Sequence, residues 1–292
     1  MVSDSAAFGV SLYDVDVRRL VDVAVAAEAA GFRHLWLGEH LLLPTGYRSA
    51  HPTRSGDHRP HPRIVDPSTE LLDPMVALAA VAAATTTIEI GTAVYLLPLR
   101  HPLVTARAAA TLQQVAGGRF RLGVGAGWLE EEFEALEVPF ADRGSRHEEA
   151  LTVVRRALGG GSFDHAGRHY RFEGVQVTPR PVGVPIVMGG NSDRALRRAA
   201  RLADGWFASG NPTLQEAVAL KERLDRLASD QGRQVDCHVR MEAFEPGLIS
   251  SYLSAGLSNL VLWAQHLSPQ GSDPAAALME AAERLGISPR RR

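Results

Sequence analysis

The chain has 292 residues, 45% of them hydrophobic and 22% charged, and its net charge is −2 at pH 7. This composition is ordinary for a soluble globular protein, and the charge gives no support for nucleic acid or a membrane surface as a partner. A single cysteine, Cys237, excludes an internal disulfide. We expect a cytoplasmic protein, because the first residues show no signal peptide and no apolar run could span a bilayer.

Short apolar runs alternate with helical segments along the chain, and the runs have the continuous apolar character of parallel strands buried on both faces. The predicted strands cover residues 8–12, 34–38, 88–95, 186–188, 205–209, 237–241 and 259–263, with one more starting at Phe120. The first predicted helix ends at Ala30. Five others cover residues 74–84, 102–116, 142–158, 193–202 and 273–285, and two more follow Pro212 and Pro246. Asp73-Pro74 has the expected order of an N-cap and a first helical residue, and Gly31 suits a helix C-terminus.

This alternation predicts a single (β/α)₈ TIM barrel domain over residues 1–292, with a long loop after strand two and an insert before strand five. The insert lies in residues 159–182 and looks like a hairpin with its turn at Ala166-Gly167. An open doubly wound sheet is the alternative, but the usual dinucleotide fingerprint is absent near the N-terminus.

The long loop, residues 44–72, is rich in Pro, His, Arg and Gly and has no periodicity. Such loops are usually lids, binding loops or disordered segments. Its histidines, His51, His58 and His61, could suggest a metal site. No pair of them has helical spacing and no cysteine joins them, so we predict a solvated loop and no metal.

Four strand ends carry residues that suit a ligand, and in a barrel these ends share one face. They are Glu39-His40, Ala93-Val94-Tyr95, Ala126-Gly127-Trp128 and Gly189-Gly190-Asn191-Ser192. The first supplies an ionisable pair and the second a mixed apolar surface. The third supplies a glycine-lined wall with an aromatic ring, although Gly-x-Gly-x-Gly alone more often marks a tight turn. The fourth suits a phosphate, because small residues and a hydroxyl precede a helix. Together they predict a site for a flat, phosphorylated ligand.

Arg146 lies in the first turn of a predicted helix, where a cation opposes the helix dipole. It could bind the phosphate of the ligand, or it could pair with Glu149. Both interpretations stay open from the sequence.

Motifs throughout the chain resemble the bacterial-luciferase-like superfamily of flavin- and deazaflavin-dependent oxidoreductases, and most closely the group assigned coenzyme F420. They include Gly31-Phe32, Trp36, Glu39-His40, Arg100-His101-Pro102, Ala106-Arg107, Ala110-Thr111-Leu112, Gly117-Gly118-Arg119, Gly123 to Trp128, Glu131-Glu132-Phe133, Pro139-Phe140, Arg143 to Arg146, Pro179-Arg180-Pro181, Gly189-Gly190, Ala195 to Ala200 and Asp204-Gly205-Trp206.

The resemblance implies a role for each strand end. Ala93-Val94 falls where deazaflavin members carry a non-prolyl cis peptide that supports the ring system. Ala126 and Gly127 match a cofactor-contacting pair, and Gly189 to Ser192 match the phosphate nest. Arg146 matches an arginine that contacts the flavin phosphate in the luciferases.

Glu39 and His40 match a catalytic pair beside the reactive ring in a sugar-phosphate dehydrogenase of this group. That enzyme has an acidic glutamate where this chain has Trp128, and an indole cannot donate a proton. The chain should therefore not be that enzyme, and Trp128 is expected to pack beside the substrate or the ring. His40 is the expected acid/base, because its unperturbed pKa of about 6.5 lies near neutrality.

We therefore predict hydride transfer between coenzyme F420 and a small organic substrate, in a homodimer as is frequent in the family. The alternatives are an FMN-dependent monooxygenase that uses oxygen and a non-catalytic flavin-binding barrel. The F420 tail needs cations, which Arg48, Arg54, Arg59 and Arg63 could supply if they are not simply solvated. The substrate cannot be read from the sequence.

Overall fold

The computed structural model describes residues 6–46, 48–49, 69–180, 183–241 and 243–289. Within them, eight parallel strands close into a barrel. The strands are β1 (Ala7–Ser11), β2 (His34–Leu37), β3 (Glu89–Thr92), β5 (Phe120–Gly125), β8 (Ile186–Gly189), β9 (Gly205–Phe207), β10 (Asp236–Arg240) and β11 (Asn259–Trp263). A short strand, β4 (Tyr95–Leu96), extends the ladder of β5. Because β1 pairs with β11, with Phe8 opposite Leu260, the sheet is closed. The predicted TIM barrel is confirmed, and the open doubly wound sheet is excluded.

Helices surround the barrel, and several begin at the capping residues expected from the sequence. They are α1 (Leu20–Ala30), α2 (Pro74–Ala84), α3 (Pro102–Val115), α4 (Glu130–Ala135), α5 (Arg143–Leu158), α6 (Asp193–Leu202), α7 (Leu214–Ser229), α8 (Pro246–Ser254), α9 (Ala264–Leu267) and α10 (Pro274–Leu285). The Asp73 carboxylate accepts hydrogen bonds from the N–H groups of Met75 and Val76, and Gly31 ends α1 with a φ of 95°. In the described part of the chain, no helix has the length and apolar character needed to span a membrane.

The insert before the fifth barrel strand is a hairpin of β6 (Phe163–Ala166) and β7 (Arg171–Val175). Its turn lies slightly later than predicted, because the Gly167 N–H donates to the Tyr170 carbonyl at 2.9 Å and closes the loop there. Most of the long loop, including its three histidines, lies outside the described residues. No group of three or more metal-binding side chains occurs among the residues that are described.

The barrel interior is packed below the strand ends. Trp36, Val187, Phe207 and Val261 form a buried cluster contributed by four of the strands. Gly91 makes room for Trp36, because a Cβ at Gly91 would lie 2.5 Å from the indole ring. At this level the barrel interior is therefore filled by side chains and leaves no room for a ligand.

The predicted strand 88–95 is interrupted in the structure. The ladder stops at Thr92, the Ala93–Val94 peptide bond is cis, and pairing resumes at Tyr95. The cis bond expected from the family resemblance is thus present. We refer to Ala93 and Val94 as the bulge.

Three glycines provide the space that the bulge occupies. A Cβ at Gly125 would lie 2.5 Å from Val94 Cγ2, and a Cβ at Gly189 would lie 2.8 Å from Val94 Cγ1. On the other side, a Cβ at Gly38 would lie 2.8 Å from the Ala93 carbonyl oxygen. These distances are below normal contact, so any larger residue would displace the bulge.

Substitution of Gly125 tests this packing. We expect Gly125→Ala to lower the free energy of unfolding by about 1–3 kcal/mol, because the added methyl group overlaps Val94. Adding Val94→Ala should restore part of the loss, since it removes the overlapping atoms. Gly247→Ala is the control, because no atom lies within 4 Å of its added Cβ. Equal urea midpoints for Gly125→Ala and Gly247→Ala would show that the bulge does not require the glycine.

Candidate active site

A cavity of about 980 Å³ opens at the carboxyl ends of the strands. Val94 lies between its two walls, which are residues 125–128 after β5 and residues 189–192 after β8. Three of the four predicted strand ends therefore meet in one cavity. The size and two-sided shape suit a large, elongated ligand.

The N-termini of two helices face this cavity. Residues 142–145 at the start of α5 line it, as do Ser192, Arg194 and Ala195 at the start of α6. Ser192 caps α6 and accepts a hydrogen bond from the Ala195 N–H. The positive ends of two helix dipoles favour an anion in this end of the cavity, as predicted for a phosphate.

Four arginines line the same end: Arg143, Arg168, Arg194 and Arg198. The last two contact the Glu148 carboxylate, and Arg168 pairs with Asp142 at 2.8 Å. The Arg143 guanidinium instead donates to the Phe140 carbonyl oxygen at 3.1 Å and lies 3.8 Å from the Phe140 ring centroid. Arg143 therefore keeps its charge available for a ligand.

Arg146 is not among the described residues that line the cavity. Its guanidinium lies 5.7 Å from the Tyr170 ring centroid, and its Nε is buried without a hydrogen-bond partner. The Glu149 carboxylate bonds to His165 and to the N–H groups of His169 and Tyr170. Arg146 thus faces the hairpin, whereas Arg143, one turn earlier, faces the cavity.

Asn191 connects two strand ends. Its side-chain nitrogen donates to the Ser209 carbonyl at 2.9 Å, and its side-chain oxygen accepts from the Ser209 N–H at 2.8 Å. The side chain is therefore engaged in holding the ends of β8 and β9 together. Its contribution to the anion end is to shape the turn.

A second cavity of about 120 Å³ adjoins the first and shares Val94, Leu96, Trp128 and Ser209 with it. We call it the small cavity. Its other side chains include Tyr13, His40, Phe207, Arg240 and Trp263. The aromatic rings of Tyr13, Trp128, Phe207 and Trp263 line it, which suits a flat organic group.

His40 is fixed in this small cavity by a buried carboxylate. Its Nδ1 lies 2.7 Å from Glu132 Oε2, and the other Glu132 oxygen accepts from the Leu41 N–H at 2.7 Å. The Glu132 side chain is completely buried, and the Trp128 ring meets the His40 ring edge-on at 5.7 Å between centroids. Glu132 thus orients the imidazole and selects the proton position on Nδ1, which leaves Nε2 for a substrate.

Glu39 points away from His40, as successive residues in extended backbone do. Its carboxylate accepts two bonds from Arg100, at 2.7 and 2.8 Å, and one from the Leu96 N–H at 2.6 Å. Burial raises the pKa of Glu39, and the Arg100 and Leu96 donors oppose that rise. Glu39 is among the residues that line the small cavity, but its carboxylate is bound to Arg100 and fixes the backbone at Leu96.

Comparison with known proteins identifies the family. A family model described as luciferase-like monooxygenase matches residues 2–249. The chain belongs to the luciferase-like monooxygenase family. The resemblance found in the sequence is thereby confirmed, and the chain is an enzyme of this family. An uncharacterized protein of Mycobacterium tuberculosis, Rv0940c, is 35% identical over 214 residues, which cover 73% of this chain and 72% of that protein.

Several solved structures share the fold. Monooxygenase RslO1 from Streptomyces bottropensis has a TM-score of 0.77 and 19% identity over 96% of this chain and 98% of its own. The coenzyme F420-dependent tetrahydromethanopterin reductase from Methanopyrus kandleri has a TM-score of 0.72 and 17% identity over 97% and 99%. The oxygenating constituent of 3,6-diketocamphane monooxygenase from Pseudomonas putida, in complex with FMN, has a TM-score of 0.63 and 18% identity over 82% and 67%.

Glu132 is the site residue whose role the sequence did not indicate. It lies 92 positions from His40, and the sequence showed it only as part of an acidic helix start and of a family motif without an assigned role. Arg240 was also missed, because a single arginine at the end of a predicted strand carries no spacing signal.

The buried pair of His40 and Glu132 can be tested by stability. We expect Glu132→Gln to lower the free energy of unfolding by about 1–3 kcal/mol, because the neutral amide loses a charge-assisted bond in a buried position. Glu134→Gln on the same short helix is the control, since Glu134 is exposed and pairs with Arg48 at the surface. If urea denaturation gives the same midpoint for both variants, the buried pair does not stabilise the fold.

Proposed function

We propose that this enzyme binds coenzyme F420 and transfers hydride between its deazaflavin and a small organic substrate. The observation that carries the proposal is the junction of the two cavities at Val94 and Trp128, with His40 on the small cavity's wall. This arrangement provides a long cofactor site, a separate substrate site and a proton-carrying group at their boundary. The bound cofactor would supply or accept the hydride.

The residues at the anion end support a cofactor with more than one negative charge. Four arginines and two helix N-termini surround this end, and the two carboxylates that pair with three of those arginines, Asp142 and Glu148, offset only part of the positive charge. An oligoglutamate tail would add carboxylates beyond the phosphate. Arg48 pairs with Glu134 in the structure, and the other loop arginines predicted for the tail lie outside the described residues.

In this proposal the chain's own residues divide the work. Gly125 to Gly127 and Val94 support the ring system, and Gly189 to Ser192 with Arg143 hold the phosphate. His40 donates or accepts the proton that accompanies hydride transfer, and Glu132 keeps its ring in position. Trp128 covers the boundary between the two cavities and limits water there. Glu39 acts through the bulge and carries no proton to the substrate.

An FMN-dependent monooxygenase is the second candidate. The family description and the FMN complex of a structural neighbour favour it. The same walls would hold the FMN phosphate and ring. The third candidate, a non-catalytic flavin-binding barrel, fits less well. Such a protein would not need a histidine that faces the small cavity and is held by a buried carboxylate.

Binding measurements separate the two cofactors. We expect purified protein to bind F420 at least about tenfold more tightly than FMN, because the additional carboxylates meet additional arginines. Arg143→Met should weaken F420 binding about tenfold, whereas Arg146→Met, one turn along the same helix, should change it less than about threefold. Isothermal titration of both cofactors checks these values. Tight binding of FMN with none of F420 would overturn the main proposal in favour of the monooxygenase.

Replacement of His40 tests the proton step. With reduced F420 and cyclohexenone as a probe acceptor, we expect His40→Ala to lower turnover by about 10²–10⁴-fold, because the variant lacks the imidazole that we propose as proton donor to the product. Cofactor affinity should stay within about threefold of wild type, since the histidine lies in the small cavity. His266→Ala, which lies outside both cavities, is the control. Undiminished turnover in His40→Ala would remove the histidine from the mechanism.

A further inference from the structure

Arg240 is a buried cation in the small cavity. It is the last residue of β10, so its side chain reaches the mouth of the barrel, and only 7% of the residue is exposed. The guanidinium lies 5.1 Å from the Phe207 ring centroid and 4.5 Å from that of Trp263. Two aromatic rings therefore hold it in a fixed position.

The hydrogen-bonding capacity of Arg240 is mostly unused. Its Nη2 is 3.5 Å from the Ala93 carbonyl oxygen, which is a long contact, and its Nε is buried without a partner. Arg100 and Arg198 differ in this respect, because Arg100 pairs with Glu39 and Arg198 with Glu148. Among the described residues, no aspartate or glutamate forms an ion pair with Arg240.

The charge of Arg240 remains in place despite this environment. Burial lowers the pKa of Arg240 to about 10, so the guanidinium is still protonated near neutral pH. The closest ionisable neighbour, Tyr13, cannot supply the opposite charge, because burial raises the pKa of its phenol. Among the described residues no acid offsets this charge, and a ligand that provides the anion would stabilise it.

We propose that Arg240 binds an anionic oxygen of the substrate, and that the substrate is a small, flat carboxylate. This inference rests on the proposed function, since it names the substrate class of the same site. The planar fork of a guanidinium matches the two oxygens of a carboxylate. The rings of Trp128, Phe207 and Trp263 suit the flat part of such a molecule, and the volume of about 120 Å³ limits its size. His40 lies on the same cavity, so the anchored molecule is within its reach.

Binding of benzoate and of benzamide, its neutral isostere, tests the charge requirement. Trp128 and Trp263 line the cavity, so quenching of tryptophan fluorescence reports occupancy in the full-length protein, without cofactor and with whichever cofactor it binds. We expect benzoate to bind at least about tenfold more tightly than benzamide, and Arg240→Met to abolish this preference. Arg18→Met, which alters an exposed arginine, should leave the preference unchanged.

The cofactor is measured in the same variants, so the two proposals fail separately. Equal binding of benzoate and benzamide to wild type, no binding of either, or a preference that persists in Arg240→Met would overturn the inference. A loss of cofactor affinity in Arg240→Met with unchanged benzoate binding would assign the cation to the cofactor and would also overturn it. If wild type binds neither F420 nor FMN, the proposed function fails whatever the benzoate result.

Arg240→Lys covers the case in which the methionine variant does not fold. Lysine keeps the charge but lacks the planar fork, so benzoate should remain preferred while its affinity falls by about threefold or more. Benzoate affinity equal to that of wild type in Arg240→Lys would contradict the forked contact. Loss of folding in both variants, with a wild-type protein that shows no preference, would equally overturn the inference.

Discussion

The bulge at Ala93 and Val94 is the constraint on which the mouth of the barrel depends. Val94 extends into the space between the ends of β5 and β8, and that space exists only because Gly125 and Gly189 lack a Cβ. From behind, Glu39 binds the Leu96 N–H and the Arg100 guanidinium, which fixes the chain just after the bulge. Four strand ends are thus adjusted to one another before any ligand is present, which is the preorganisation that a binding site needs.

The second determinant of the site is that two neighbouring side chains, Glu39 and His40, have different roles. Glu39 and His40 are adjacent in sequence but serve opposite sides of the strand end. One carboxylate is neutralised by an arginine and supports the backbone, while the histidine faces the small cavity and is held by Glu132. Since Glu132 is buried and also accepts from the Leu41 N–H, the imidazole has little freedom to turn. The geometry therefore favours a histidine with one committed nitrogen and one available nitrogen.

The barrel and the location of its site could be predicted from the sequence because both depend on local signals. Apolar runs, caps and strand-end residues recur along the chain, and the closed sheet follows from their number. The partners of those residues could not be predicted in the same way. Glu132 reaches His40 only after α4 folds back, and the choice between Arg143 and Arg146 depends on the hairpin, whose Tyr170 lies against Arg146. The glycines were predicted to make space for a ligand, whereas Gly125 and Gly189 make space for Val94.

The short helix α4 carries two glutamates with separate duties. Glu132 points inward to His40, and Glu131 points outward, where it accepts bonds from the Ser49 hydroxyl and from the N–H groups of Arg48 and Ser49. The chain leading into the long loop is therefore anchored one peptide bond away from the residue that orients the histidine. A substitution of Glu131 would release the N–H groups of Arg48 and Ser49 while the contact between Glu132 and His40 is retained. The residue that orients the histidine and the residue that anchors the loop are thus neighbours in the sequence, but each can be substituted without the other.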